Sequence, residues 1–185
     1  MGRSKRPRGW RGLLRESAEF LGDADGVHGV FRVVGADRLR VVIRYDGTAI
    51  SLRKTLSLVA ADGSLRLLGP DAVLHVGDRV RVHIDIYCER DMDNMVLVDQ
   101  RAAAFEPVST ASGWQWNDGL RYYVDVRDES HNCYIDRLNE GRYYVEYDLW
   151  VRHAGTFASG IGILRSVYAP EFRANTPSAK LRVAD

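Results

Sequence analysis

Hydrophobic and polar positions alternate with a period of two along most of the chain. In residues 79–88, Val80, Val82, Ile84, Ile86 and Cys88 fall on one side, and Arg79, Arg81, His83, Asp85 and Tyr87 on the other. Residues 142–152 repeat the pattern, with Tyr143, Val145, Tyr147, Leu149 and Val151 opposite Tyr144, Glu146, Asp148, Trp150 and Arg152. Such alternation predicts strands with one face buried. Leu39, Val41, Ile43 and Tyr45 mark another strand over residues 38–45. Residues 51–60 and 65–68 predict a pair joined by a turn at Ala61-Asp62-Gly63-Ser64. Shorter β-rich runs follow at 121–126, 132–138, 161–168 and 181–183. No long helical period interrupts them. Seven or more short strands between turn signals predict an all-β fold, an antiparallel immunoglobulin-like β-sandwich.

The run from Glu89 to Tyr123 lies at the centre of this pattern. Met95-Val96-Leu97-Val98, bounded by charge, reads as a strand buried on both faces. Ala102-Ala103-Ala104 permits one helical turn before Pro107 and the Ser/Thr/Gly segment stop it. Trp114 and Trp116 then flank Gln115, which sets both indoles on one side of an extended segment. This segment either folds back onto the sheet, as the large apolar area of two indoles favours, or offers a binding surface.

Charge changes the picture only at the start of the chain. Six of the first fifteen residues are Lys or Arg, with no acid among them; the remainder holds 20 basic and 25 acidic residues. A mildly acidic body argues against nucleic acid as its partner. Residues 1–25 therefore read as a basic flexible tail with at most a short helix over 13–21, and residues 26–49 as a β-rich segment. No run is long and apolar enough for a transmembrane helix, and the basic start is not followed by the apolar core of an export signal.

Candidate chemistry is sparse. Cys88 and Cys133 both fall at strand positions, so they are either two buried thiols or one disulfide between facing strands. His131 and Cys133 lie two residues apart, a poor arrangement for an activated thiolate. Asp91, Asp93 and Asn94 lack the glycine and distal Glu of a calcium loop, and the five histidines lack zinc spacing. No phosphate loop or nucleophile elbow occurs. The expectation is no catalytic residue, no metal and no cofactor. Trp114, Trp116, Tyr123 and Trp150 are the candidate interaction surface, for a glycan or a protein. Gly141, two residues before Tyr143, suggests a tyrosine corner.

Several segments in order carry a resemblance: Val76-Gly77-Asp78-Arg79-Val80, Asp91-Met92-Asp93, residues 101–108 and Ser112-Gly113-Trp114-Gln115-Trp116, followed by Leu138-Asn139-Glu140-Gly141 and Tyr168-Ala169-Pro170-Glu171-Phe172. Together, over residues 50–185, they resemble the last macroglobulin-like domain of bacterial alpha-2-macroglobulin family proteins of the Bacteroidetes type. The resemblance implies a non-catalytic terminal domain of a broad-spectrum endopeptidase inhibitor. Its partners would be the other domains of a longer parent and, through that parent, peptidases, in the periplasm, cell envelope or extracellular space. The family's Gly-Cys-Gly-Glu-Gln thioester motif is not in this sequence.

Overall fold

The computed structural model describes residues 19–24, 27–32, 49–69 and 71–185. The chain divides into two units, residues 1–47 and 48–185. In the first, β1 (Glu19–Ala24) and β2 (Val27–Arg32) form an antiparallel hairpin in which Glu19 faces Arg32 and Ala24 faces Val27. The short helix expected over 13–21 therefore gives way at its end to a strand, because the ladder to Val27–Arg32 satisfies backbone groups that a single helical turn leaves unpaired. The rest of the basic tail, and the strand expected at 38–45, lie outside the described residues.

The second unit is all β. Its strands are β3 (Ile50–Val59), β4 (Leu65–Leu67), β5 (Val73–His75), β6 (Arg79–Cys88), β7 (Met92–Gln100), β8 (Phe105–Pro107) and β9 (Gly113–Asn117), followed by β10 (Leu120–Val126), β11 (Ser130–Leu138), β12 (Gly141–Val151), β13 (Gly155–Ala158), β14 (Gly162–Ser166), β15 (Arg173–Asn175) and β16 (Lys180–Ala184). They make a six-stranded sheet in the order β15-β14-β7-β11-β10-β9 and a five-stranded sheet in the order β4-β3-β6-β12-β8. A small β13-β16-β5 sheet adds the only parallel pair among them, β16 with β5. The two larger sheets face each other over one apolar core, so the unit is an antiparallel immunoglobulin-like sandwich.

The inward rows are those the alternation predicts. Val80, Val82, Ile84, Ile86 and Cys88 of β6 are almost wholly buried, and across the ladder Val145, Tyr147 and Leu149 of β12 share their side. Met95, Leu97, Leu120, Val124 and Ile135 close the core from the other sheet. One expectation changes. In β7, Val96 and Val98 are only half-buried, because among the described residues of this unit no further layer covers the outer face of the six-stranded sheet. The alanine run makes a β-turn rather than the helical turn expected, closed by the Phe105 N–H donating to the Ala102 carbonyl at 3.0 Å.

Candidate functional site

The inward row of β3 reads Ile50, Leu52, Lys54, Leu56, Leu58, with a lysine at its centre. Lys54 keeps only 6% of its side chain exposed and donates from Nζ to Asp99 Oδ1 of β7 at 2.7 Å. It also donates to the carbonyls of Gln100 at 3.3 Å and Ser159 at 3.4 Å. The Tyr147 hydroxyl of β12 donates to the other Asp99 oxygen, Oδ2. Asp99 thus joins the two sheets, taking one partner from each of two strands of the facing sheet. A buried carboxylate needs this many partners, because desolvating an unpaired charge costs several kcal/mol.

The chain comes close here, and glycine allows it. Gly160 has a left-handed φ of 76°, and a Cβ there would lie 2.1 Å from the Gln100 carbonyl oxygen, which also accepts from Lys54. Beside the network the His131 ring stacks flat on the Tyr147 ring, 3.9 Å between centroids and 3° between planes. Burial, together with the Arg101 guanidinium, pulls the His131 pKa down to about 4. Burial and the adjacent Asp99 carboxylate push the Tyr147 hydroxyl well above its ordinary range.

These directions decide the chemistry. An activated cysteine needs a cation or base that lowers its pKa. Cys133 is instead pushed far up by burial and by the Asp99 charge, and His131 is held neutral. Neither cysteine is bonded to the other: both are buried free thiols. Cys88 lies at the end of β6, four residues before the start of β7, and its Sγ donates to the Arg90 carbonyl at 2.8 Å. Met92 at that start pairs with Leu138, five residues along β11 from Cys133. Five strand residues span about 16 Å, well beyond the Cα separation a disulfide bridges. The sequence places both cysteines on strands, but it does not show that they stand at different heights of the sandwich.

The acidic turn is structural. Asp91 accepts from the Glu140 N–H at 2.8 Å and from Arg137 at 3.1 Å. Among the described residues no group of His, Cys, Asp or Glu could hold a metal. Tyr143 is not a corner of the expected kind: its ring lies back over Gly141, and no hydrogen bond of its hydroxyl is found among the described residues.

The aromatic candidates separate. Trp116 pairs with Arg121 and Trp114 with Tyr123, and Tyr123 pairs onward with Tyr134 of β11. Directly opposed residues share a face, so all five lie on the outer side of the six-stranded sheet. There Trp114 is 52% exposed and Trp116 72%, against the expectation that they fold back. They stay out because the inward positions of this hairpin are already taken by Leu120, Tyr122 and Val124. Arg121 lies over the Trp114 ring at 4.0 Å and Tyr123 meets it edge-on at 5.6 Å. Arg121 thereby covers one face of the Trp114 indole, whereas the Trp116 ring has no such partner among the described residues. Trp150 is not part of this surface. It pairs with Arg79 and Glu106 on the outer side of the other sheet, half-buried under Arg152.

That other outer face is a ladder of ion pairs. Arg53 reaches Asp85, His83 lies between Glu146 at 2.6 Å and Asp85 at 3.1 Å, and Arg79 and Arg81 share Asp148. Reading by alternation alone misses Lys54 and Asp99. The signal for both is a charged residue on the inward beat of an otherwise apolar row.

A sequence-family model described as the bacterial alpha-2-macroglobulin MG10 domain matches residues 50–171. Among solved structures, Salmonella alpha-2-macroglobulin reacted with methylamine aligns with a TM-score of 0.60 and 19% identity, over 74% of this chain and 9% of that one. Escherichia coli alpha-2-macroglobulin from domain MG7 to the C-terminus gives 0.59 and 16%, over 74% of this chain and 24% of that one. The native conformation of the E. coli protein gives 0.59 and 15%, over 83% and 10%. At these identities the structures speak for the fold, and the chain spans at most a quarter of their length. No curated protein sequence matches the chain.

Proposed function

We propose, from the premise that this chain belongs to the bacterial alpha-2-macroglobulin MG10 domain family, that it is a non-catalytic structural and interaction domain of a macroglobulin-type endopeptidase inhibitor. In this reading its partners are the other domains of a longer parent protein, and it meets peptidases only through that parent, in the periplasm, envelope or extracellular space. The observation that carries the reading is how the sandwich interior is used. The interior holds a continuous apolar core and one satisfied ionic network. The Cys–His neighbours inside it are shifted away from nucleophilic chemistry, the thiol upward and the imidazole downward.

Three measurements on the purified chain test this. It hydrolyses none of a panel of fluorogenic peptides. At equimolar ratio it does not shield a large protein substrate from trypsin or elastase. It incorporates no labelled methylamine, since the thioester motif is not in its sequence. Stoichiometric inhibition by the chain alone would overturn the reading, because it requires a direct peptidase-binding surface. Turnover of any peptide would overturn the non-catalytic part.

A further inference from the structure

The edges of the sheets in residues 48–185 differ in how they are protected. A sheet edge exposes unpaired N–H and C=O groups, and proteins blunt it with short strands, charge or proline. β4, β8 and β15 are three residues each and carry Arg66, Glu106 with Pro107, and Arg173 respectively. β5 is also three residues long, and β13 is four. β9 has five residues, Gly113-Trp114-Gln115-Trp116-Asn117, with neither charge nor proline. One flank pairs with β10, and the other makes no backbone hydrogen bond among the described residues. Only the Asn117 side chain is tied across, to the Tyr144 carbonyl at 3.2 Å.

This edge is complementary to itself. Read in either direction about Gln115 it is Trp-Gln-Trp. Laid antiparallel against a second copy with Gln115 facing Gln115, each Trp114 faces Trp116 of the partner subunit, on the outer side of the joined sheet. Cross-strand aromatic pairs are among the more favourable a ladder can hold. Trp114 is also pre-packed, since Arg121 and Tyr123 already hold its ring, which lowers the entropy cost of ordering it. Trp114, Trp116 and Tyr123 form an exposed aromatic patch along this edge, on the order of 400 Å² and within the range of the largest apolar patch of a monomer.

We infer that β9 is a homodimerisation edge: two copies of the chain join β9 to β9 about Gln115 in a two-fold pair, extending two six-stranded sheets into one of twelve strands. A two-fold interface uses the same patch on both copies, which is what a self-complementary strand supplies. One strand pair with its flanking aromatics buries less than a standard interface, so the dimer is weak and reversible. This inference does not depend on the proposed function.

The test is sedimentation velocity of the full chain from about 1 to 200 µM. The expected result is a concentration-dependent monomer–dimer equilibrium, with an exciton couplet from paired indoles in the near- and far-UV circular dichroism that grows with the dimer fraction. Trp116→Lys charges the exposed edge and should weaken association at least tenfold. Gln115→Glu, a nearly isosteric change, sets two carboxylates against each other on the two-fold axis and should do the same without disturbing the fold. Tyr134→Lys, two strands in from the edge, should leave association unchanged. A chain that stays monomeric at the highest concentration overturns the inference. So does a dimer indifferent to Trp116→Lys and Gln115→Glu, or one lost with Tyr134→Lys alone, which would move the contact to the sheet face.

Discussion

At the scale of single residues, the sandwich depends on a few polar side chains that sit where apolar ones are expected. Lys54 and Asp99 are both nearly wholly buried, and each is the other's main partner. Removing one leaves the other charged without compensation, so Lys54→Met should cost about 3 kcal/mol or more in urea unfolding. Replacing both with apolar residues should cost markedly less, and a double-mutant cycle measures the difference. His131 makes a separate, pH-dependent contribution. Its folded pKa, about 4, lies below the ordinary imidazole value of 6.5. The unfolded chain therefore binds a proton first on acidification. The stability is fully present above pH 6.5 and is lost as pH falls toward 4, by up to about 3 kcal/mol. His83 works in the opposite sense. Burial pulls its pKa down, but hydrogen bonds to Glu146 and Asp85 outweigh that and raise it, giving stability below the unfolded value that fades as pH rises. His83 is a third exposed, so solvent screens it and its share is small. Urea midpoints of the wild type should fall between pH 7 and 5, and His131→Phe should flatten that fall. A fall of equal size in the variant would assign it to other groups.

At the scale of elements, the β9–β10 hairpin shows how little apolar character alone says about burial. Trp116 and Leu120 lie four residues apart, yet Trp116 is 72% exposed and Leu120 only 1%. Trp116→Ala should therefore change stability by no more than about 0.5 kcal/mol. Leu120→Ala should cost about 2–5 kcal/mol, because it opens a cavity between the sheets. If the tryptophan proves the costlier of the two, its indole is covered in solution by more than this chain's own sandwich. On the five-stranded sheet the same alternation has a different outer face. The Arg53–Asp85, His83–Glu146 and Arg81–Asp148 pairs form a charged ladder suited to water.

At the scale of the molecule, residues 48–185 form a unit with its own core, distinct from residues 1–47. A unit of this size with one continuous core should fold alone. A chain starting at Thr48 should keep a β circular dichroism spectrum and a single cooperative urea transition, with its midpoint within experimental scatter of the full chain's. A loss of cooperativity would show that the first unit completes the core.

The positions of the longer strands and the inward rows of β6 and β12 were determined by the sequence alone, because a period of two is a local property that the pleat converts directly into two faces. The short strands β5, β8, β13 and β15 carry too few residues to show it. The family resemblance was legible in the same way, through ordered short segments such as Ser112-Gly113-Trp114-Gln115-Trp116 and Tyr168-Ala169-Pro170-Glu171-Phe172. Which strands became neighbours was decided only in the folded molecule. Alternation places Lys54 on an inward row, but the facing Asp99, 45 residues away, is what makes that position tolerable. It puts Cys88 and Cys133 on strands, but the packing of two sheets sets them at different heights. It puts Trp114 and Trp116 on one side without saying which side is inside. Leu120, Tyr122 and Val124 fill the core, and the indoles lie on the surface. Periodicity defines faces; only long-range packing, which must fill the interior and pair every buried charge, decides which face is buried and what it meets there.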